Sequence, residues 1–141
     1  MITQTACTIF KQNLLKGLEN FNAGSPYQYK IALYNANANL NDATTTYTSN
    51  NEITGSGYIA TGKNLSPIGL NLDVTNNTAY VSFSDVTWTP ASFTCRGALV
   101  YNSTTNAACF VLNFGSDKTA SNSFTVQFPA ANSTNAILRI S

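Results

Sequence analysis

The sequence predicts a mainly β protein: an antiparallel β-sandwich of about eight strands with one N-terminal α-helix, in a single domain over residues 1–141. Three observations carry that expectation. Apolar residues recur at three- and four-residue steps only near the start of the chain. From Tyr27 onward they alternate with polar residues in short runs, the period of a half-buried strand. Clusters of Gly, Asn, Ser, Thr and Pro separate those runs and supply turn geometry.

The helix is expected over about residues 5–21. Cys7, Phe10, Leu14, Leu18 and Phe21 fall on one face, with Lys11, Gln12, Lys16 and Asn20 on the others. Thr3 or Thr5 is placed to cap its start, and residues 22–26, Asn-Ala-Gly-Ser-Pro, stop it. The apolar stripe is suited to an open face of the β core or an adjacent subunit. The polar face holds too few basic residues for a lipid surface.

The sandwich is expected over about residues 27–141. Tyr27, Tyr29, Ile31 and Leu33 alternate with Gln28, Lys30 and Ala32 as the first strand. Residues 35–51 are then polar except for Leu40 and Tyr47, too long a stretch for an ordinary connection, and form a candidate functional loop. Gly55-Ser56-Gly57-Tyr58 and Thr61-Gly62-Lys63-Asn64 read as turns punctuating a short strand. Ala79, Val81 and Phe83 form another strand, followed by Val86 and Trp88. Residues 93–101 and 107–114 read as a hairpin, apolar on both sides at their centres and therefore central in the packing. Phe124, Val126 and Phe128 precede Pro129, and Ala136, Leu138 and Ile140 close the chain.

In that hairpin, Leu99 opposite Phe110 aligns the apolar faces and sends Cys95 and Cys109 to opposite sides of the sheet. With Cys7 they make three cysteines, an odd number. We read all three as buried, reduced thiols acting as small hydrophobes, which fits synthesis in a reducing cytoplasm.

Composition argues against most chemistry. Charged residues make up 9% of the chain, against roughly a quarter in an ordinary soluble domain. There is no histidine, the usual provider of a proton carrier near neutrality and of a base for a serine or cysteine nucleophile. Three isolated cysteines do not make a zinc site. Glu19, Asp42, Glu52, Asp73, Asp85 and Asp117 show no calcium-loop spacing, and most sit beside turns, where a carboxylate is simply solvated. No catalytic, cofactor-binding or metal-binding residues are therefore expected. The seven basic residues form no run, so the electrostatic footprint of a nucleic-acid binder is missing. No apolar stretch is long enough to span a bilayer. The N-terminus lacks the features of a secretory signal, so the three Asn-x-Ser/Thr patterns at Asn76, Asn102 and Asn132 are expected to stay unmodified.

Tyr34, Tyr47, Tyr58 and Trp88 fall on presumed loops or outer faces and could stack on sugars, although Trp88 reads better as core or edge packing. Arg96 is the sole charge in an apolar strand and needs an ion-pair or carbonyl partner.

Several phrases in order resemble small virion structural proteins of tailed bacteriophages. They are Tyr29-Lys30-Ile31-Ala32-Leu33-Tyr34, the turn-rich 51–58 with its Gly55-Ser56-Gly57-Tyr58, and Asp85-Val86-Thr87-Trp88. Arg96-Gly97-Ala98-Leu99-Val100-Tyr101-Asn102 and Val111-Leu112-Asn113-Phe114-Gly115 complete the set. The resemblance runs from about residue 10 onward and brings no catalytic residues. It implies a capsid decoration (cement) protein or a tail-associated subunit, located in the virion after assembly in the host cytoplasm. Head decoration, as a trimer contacting the major capsid protein or other virion proteins, is the expected role. The alternative is a tail, neck or fibre subunit with a receptor- or glycan-binding role. Either way subunit contacts carry the function. The candidate contact residues are Phe10 and Leu14 on the helix, Leu40 and Tyr47 in the long loop, and Tyr58 and Lys63 at the two turns.

Overall fold

The computed structural model describes all 141 residues. It is mainly β, 45% strand and 6% helix, with antiparallel sheets and one helix, as the alternation predicts. In chain order the elements are β1 (Thr5–Ala6), α1 (Thr8–Lys16), β2 (Tyr29–Tyr34), β3 (Lys63–Leu65), β4 (Pro67–Asp73) and β5 (Thr78–Phe83). Then follow β6 (Val86–Trp88), β7 (Phe93–Asn102), β8 (Ala107–Ala120), β9 (Phe124–Val126) and β10 (Leu138–Ile140). The main sheet has the order β1-β8-β7-β2-β3, a second sheet is β10-β5-β4, and β6 pairs with β9. The central strands are those with apolar residues on both faces: Ala98, Leu99 and Val100 of β7 are fully buried. One cluster of 30 buried residues unites the layers.

The helix is shorter than the stripe suggests. Gly17 adopts the left-handed conformation (φ 71°) and ends it, with its N–H turned back to the last-turn carbonyls. Thr5 does not cap it, because Thr5 and Ala6 are extended and pair with Val111 and Phe110. Cys7 takes the N-cap position without a side-chain bond. Phe21 nevertheless reaches the core from beyond the helix, stacked on Tyr29 with ring centroids 4.6 Å apart. Leu18 is exposed.

The β7–β8 hairpin begins in the expected register, with Tyr101 opposite Ala108 and Asn102 opposite Ala107. An irregularity then makes Cys109 an extra residue, so that Leu99 faces Val111 and Val100 faces Phe110. A larger one lies between Cys95 and Gly97, beyond which Cys95 faces Lys118 and β8 continues to Ala120. Both shifts are additions to one strand, which alternation cannot reveal. All three thiols are buried and free. Burial pushes Cys7 up to about 11 and Cys95 up to about 12.

Residues 35–51 are not a projecting loop. Leu40 accepts the Thr3 N–H at 2.9 Å, Thr46 bridges Ala107, and Tyr34 bridges Glu52, so the segment is folded down along the main sheet. The Gly62 turn is closer than a turn signal alone indicates: a Cβ there would lie 1.8 Å from the Ile31 carbonyl oxygen. Lys63 and Asn64, read as the end of that turn, join Leu65 in pairing with Tyr29–Ile31 as β3.

Candidate functional site

Most of the six expected contact residues are consumed by the fold. Phe10 and Leu40 are each 1% exposed, so neither offers a side chain to a neighbour. Phe10 packs on Phe110 with centroids 4.7 Å apart. Leu14, Tyr47 and Tyr58 are half-buried, and Lys63 is exposed. The Lys63 ammonium donates to the Thr87 carbonyl at 2.5 Å and sits 5.8 Å from the centre of the Trp88 ring. The structure does not bring the six together into one patch: they serve the helix–sheet contact, the folded-down loop and the Trp88 cluster separately.

The aromatic residues considered for sugar stacking are also committed. Tyr34 is fully buried and Trp88 is 1% exposed. Tyr58 stacks against Trp88 at 6.2 Å, while Phe93 and Phe124 close on the indole from other sides. Tyr47 stacks on Tyr101 at 5.0 Å.

Two of the six carboxylates are built into the fold. Glu52 accepts hydrogen bonds from the Tyr47 hydroxyl at 2.5 Å, the Tyr58 hydroxyl at 2.6 Å and the Thr61 N–H at 2.8 Å. It pins the 47–61 segment back on itself. Glu19 is 7% exposed and accepts from the Tyr29 hydroxyl and the Asn102 amide, each at 3.2 Å, and from the Cys109 thiol at 3.5 Å. Loss of hydration raises its carboxyl above the ordinary range, and the three donors oppose that rise. Asn102, the second Asn-x-Ser/Thr site, is fully buried in this network. Sequence reading missed Glu19 because its burial depends on the chain turning at Gly17.

Three further acids are bonded within the chain. Arg96 Nε donates to Asp117 at 2.9 Å, the ion pair the strand pattern calls for. Asp73 accepts from Ser133 at 2.6 Å and Asn76 at 2.7 Å, and Asp85 from the Phe128 N–H at 2.9 Å. No group of three or more cysteine or acidic side chains converges to hold a metal ion. No helix is long and apolar enough to cross a membrane.

The structure also leaves one apolar face open. In the β10-β5-β4 sheet, Leu72, Ala79 and Ile140 are register partners and share one face. That face continues along β5 through Val81 and Phe83, which are 2% and 1% exposed in the core. The β4–β5 hairpin therefore overhangs the body: its core-side face runs past the end of the core and remains uncovered, with Leu72 62%, Val74 81% and Ile140 55% exposed. Together they line an open shelf of about 400 Å³. The opposite face is backed by the 129–136 segment, through Ser82 to the Pro129 carbonyl (2.6 Å) and through the Ser133–Asp73 bond. Gly69 makes room for that segment, since a Cβ there would lie 2.3 Å from the Ala131 Cβ.

Strand β4 is absent from the sequence-based expectations, although Ile68, Leu70, Leu72 and Val74 recur at every second position. The alternation was the readable signal. The bulge between Ile68 and Asn71 then divides the run, with Ile68 opposite Ser82 and Leu72 opposite Ala79, so that Leu72 and not Ile68 shares the uncovered face. No protein-family model, curated protein or solved structure matches the chain.

Proposed function

We propose that the chain is a non-enzymatic structural subunit of a bacteriophage particle, a decoration (cement) protein that stabilises the head through subunit contacts. In this reading it works as a trimer at three-fold positions and binds the major capsid protein or other virion proteins. The observation that carries it is the overhanging β4–β5 hairpin, an apolar face that the chain's own core does not use. Two further points support it. The ordered phrases from Tyr29 to Gly115 are similar to those of phage virion proteins. Five of the six acids, namely Glu19, Glu52, Asp73, Asp85 and Asp117, have side chains bonded within the chain. Carboxylates fixed in this way hold the fold and are poorly placed to carry protons for a substrate.

Low charge suits a subunit that crowds against copies of itself, since a formal net charge of +1 brings little repulsion. Quantitative densitometry of purified particles tests the assignment. Hundreds of copies per particle are expected for a head decoration protein. A handful would refute the head position in favour of a tail, neck or fibre subunit, and absence from particles would refute the virion role.

A further inference from the structure

Exposed large hydrophobic residues number nine, and four of them, Leu70, Leu72, Val74 and Ile140, belong to β4 beyond its first residues, the turn after it, and β10. We propose that this overhanging face is a self-association surface, covered in solution by a second copy of the same chain. The inference rests on the structural-subunit reading and names the face through which its copies meet.

Area is the first argument. Ile68 pairs with Ser82 and faces the 129–136 side, so four side chains at roughly 100 Å² each expose on the order of 400 Å², as large as the main apolar patch of a typical monomer. Counted on both partners, that comes to about 800 Å², and flanking residues need add only about 200 Å² to reach the roughly 1,000 Å² of a specific interface. The second argument is charge. Among the residues lining the shelf, the one ionised side chain is Asp73, and its carboxylate is already held by Ser133 and Asn76. Those donors are neutral, so among side chains the shelf carries a single negative charge and no cation. It suits a surface as poor in charge as its own, and this chain has seven basic and six acidic residues in 141. The third is the strand edge. β4 is bonded to β5 on one side only, so its other side presents unpaired backbone donors and acceptors. Pro67 and the bulge between Ile68 and Asn71 blunt the first half of that edge. The open half is the one beside Leu72, continuous with the shelf, so face and edge are presented to the same neighbour.

Light scattering coupled to gel filtration, over a concentration series, reads the result directly. The wild-type protein is expected at a multiple of its 15.1 kDa mass. Leu72→Asp with Ile140→Asp is expected to weaken association at least about tenfold. Because both positions are exposed, circular dichroism and thermal midpoint should be little changed in the monomer. Leu15→Asp, at a 91% exposed position on α1, is expected to keep the wild-type mass. A wild type that stays monomeric throughout would overturn the proposal. So would an assembly that survives the double substitution or dissociates with Leu15→Asp alone. Particle densitometry separates the two readings. A monomer present in hundreds of copies on the head refutes the self-association surface alone, whereas an oligomer absent from particles refutes the virion role alone.

Discussion

Glu19 shows how one residue connects chain path, burial and titration. Gly17 ends α1 in a left-handed turn, which drops Glu19 between Tyr29, Asn102 and Cys109 instead of leaving it on a helix surface. Its carboxyl has three donors and no cation, and burial raises its pKa. The sign of the pH effect follows. A carboxyl with a raised folded-state value favours the fold fully while protonated, below the ordinary value of 4.5, and loses that contribution as pH rises through the raised value. Glu19→Gln keeps the shape without a titrating proton, and its amide can donate to the Tyr29 oxygen while its carbonyl accepts from Asn102. Thermal unfolding as a function of pH should therefore decline less for Glu19→Gln than for the wild type between the ordinary and raised values. Glu19→Ala, which strands the Tyr29 and Asn102 donors, should cost about 1–3 kcal/mol. Parallel pH profiles for wild type and Glu19→Gln would show that this carboxyl does not titrate with the fold.

At the level of elements, α1 is held by a narrow contact. Phe10 is almost fully buried between Phe21 and Phe110, Leu14 is half-buried, and Leu15 is exposed. Chemical denaturation should rank substitutions accordingly: Phe10→Ala losing about 3–5 kcal/mol, Leu14→Ala less than a fully buried leucine would, and Leu15→Ala within about 0.5 kcal/mol. Equal losses at Phe10 and Leu15 would contradict the helix orientation. The helix, β2, β5 and the β7–β8 hairpin were legible because each repeats its own period over enough residues to be seen. What escaped was set by single residues or by tertiary contact. Gly17 truncates the helix, Cys109 enters β8 as an extra residue, and Lys63–Leu65 becomes a strand because Tyr29–Ile31 lies beside it. β4 was legible and overlooked. It is also the strand that carries the candidate site, whereas the residues expected to form contacts went largely into the core. An apolar residue in a sequence does not announce which side of its sheet has a covering layer.

For the whole molecule, the forces available to an assembly are unusually one-sided. A single ion pair, Arg96 with Asp117, is formed by side chains 35% and 54% exposed, and such a pair contributes little in water. The other contacts that close the fold are apolar packing, neutral hydrogen bonds of Asn, Ser, Thr and Tyr, and charged groups bonded to neutral partners, as Glu52 and Lys63 are. The uncovered face has the same character. Association through Leu72, Val74 and Ile140 should then respond to salt in the manner of hydrophobic burial rather than of charge pairing. Raising sodium chloride shortens the reach of exposed charges and would loosen a contact built on them. Sulfate, excluded from protein surface, strengthens apolar burial. Sedimentation equilibrium should therefore give a self-association constant that moves less than about twofold across a sodium chloride titration and rises in sodium sulfate. The Leu72→Asp, Ile140→Asp protein should show no rise in sulfate. Dissociation of the wild type by sodium chloride would mean that copies meet through their thirteen charged side chains, and that the overhanging hairpin lies outside the contact.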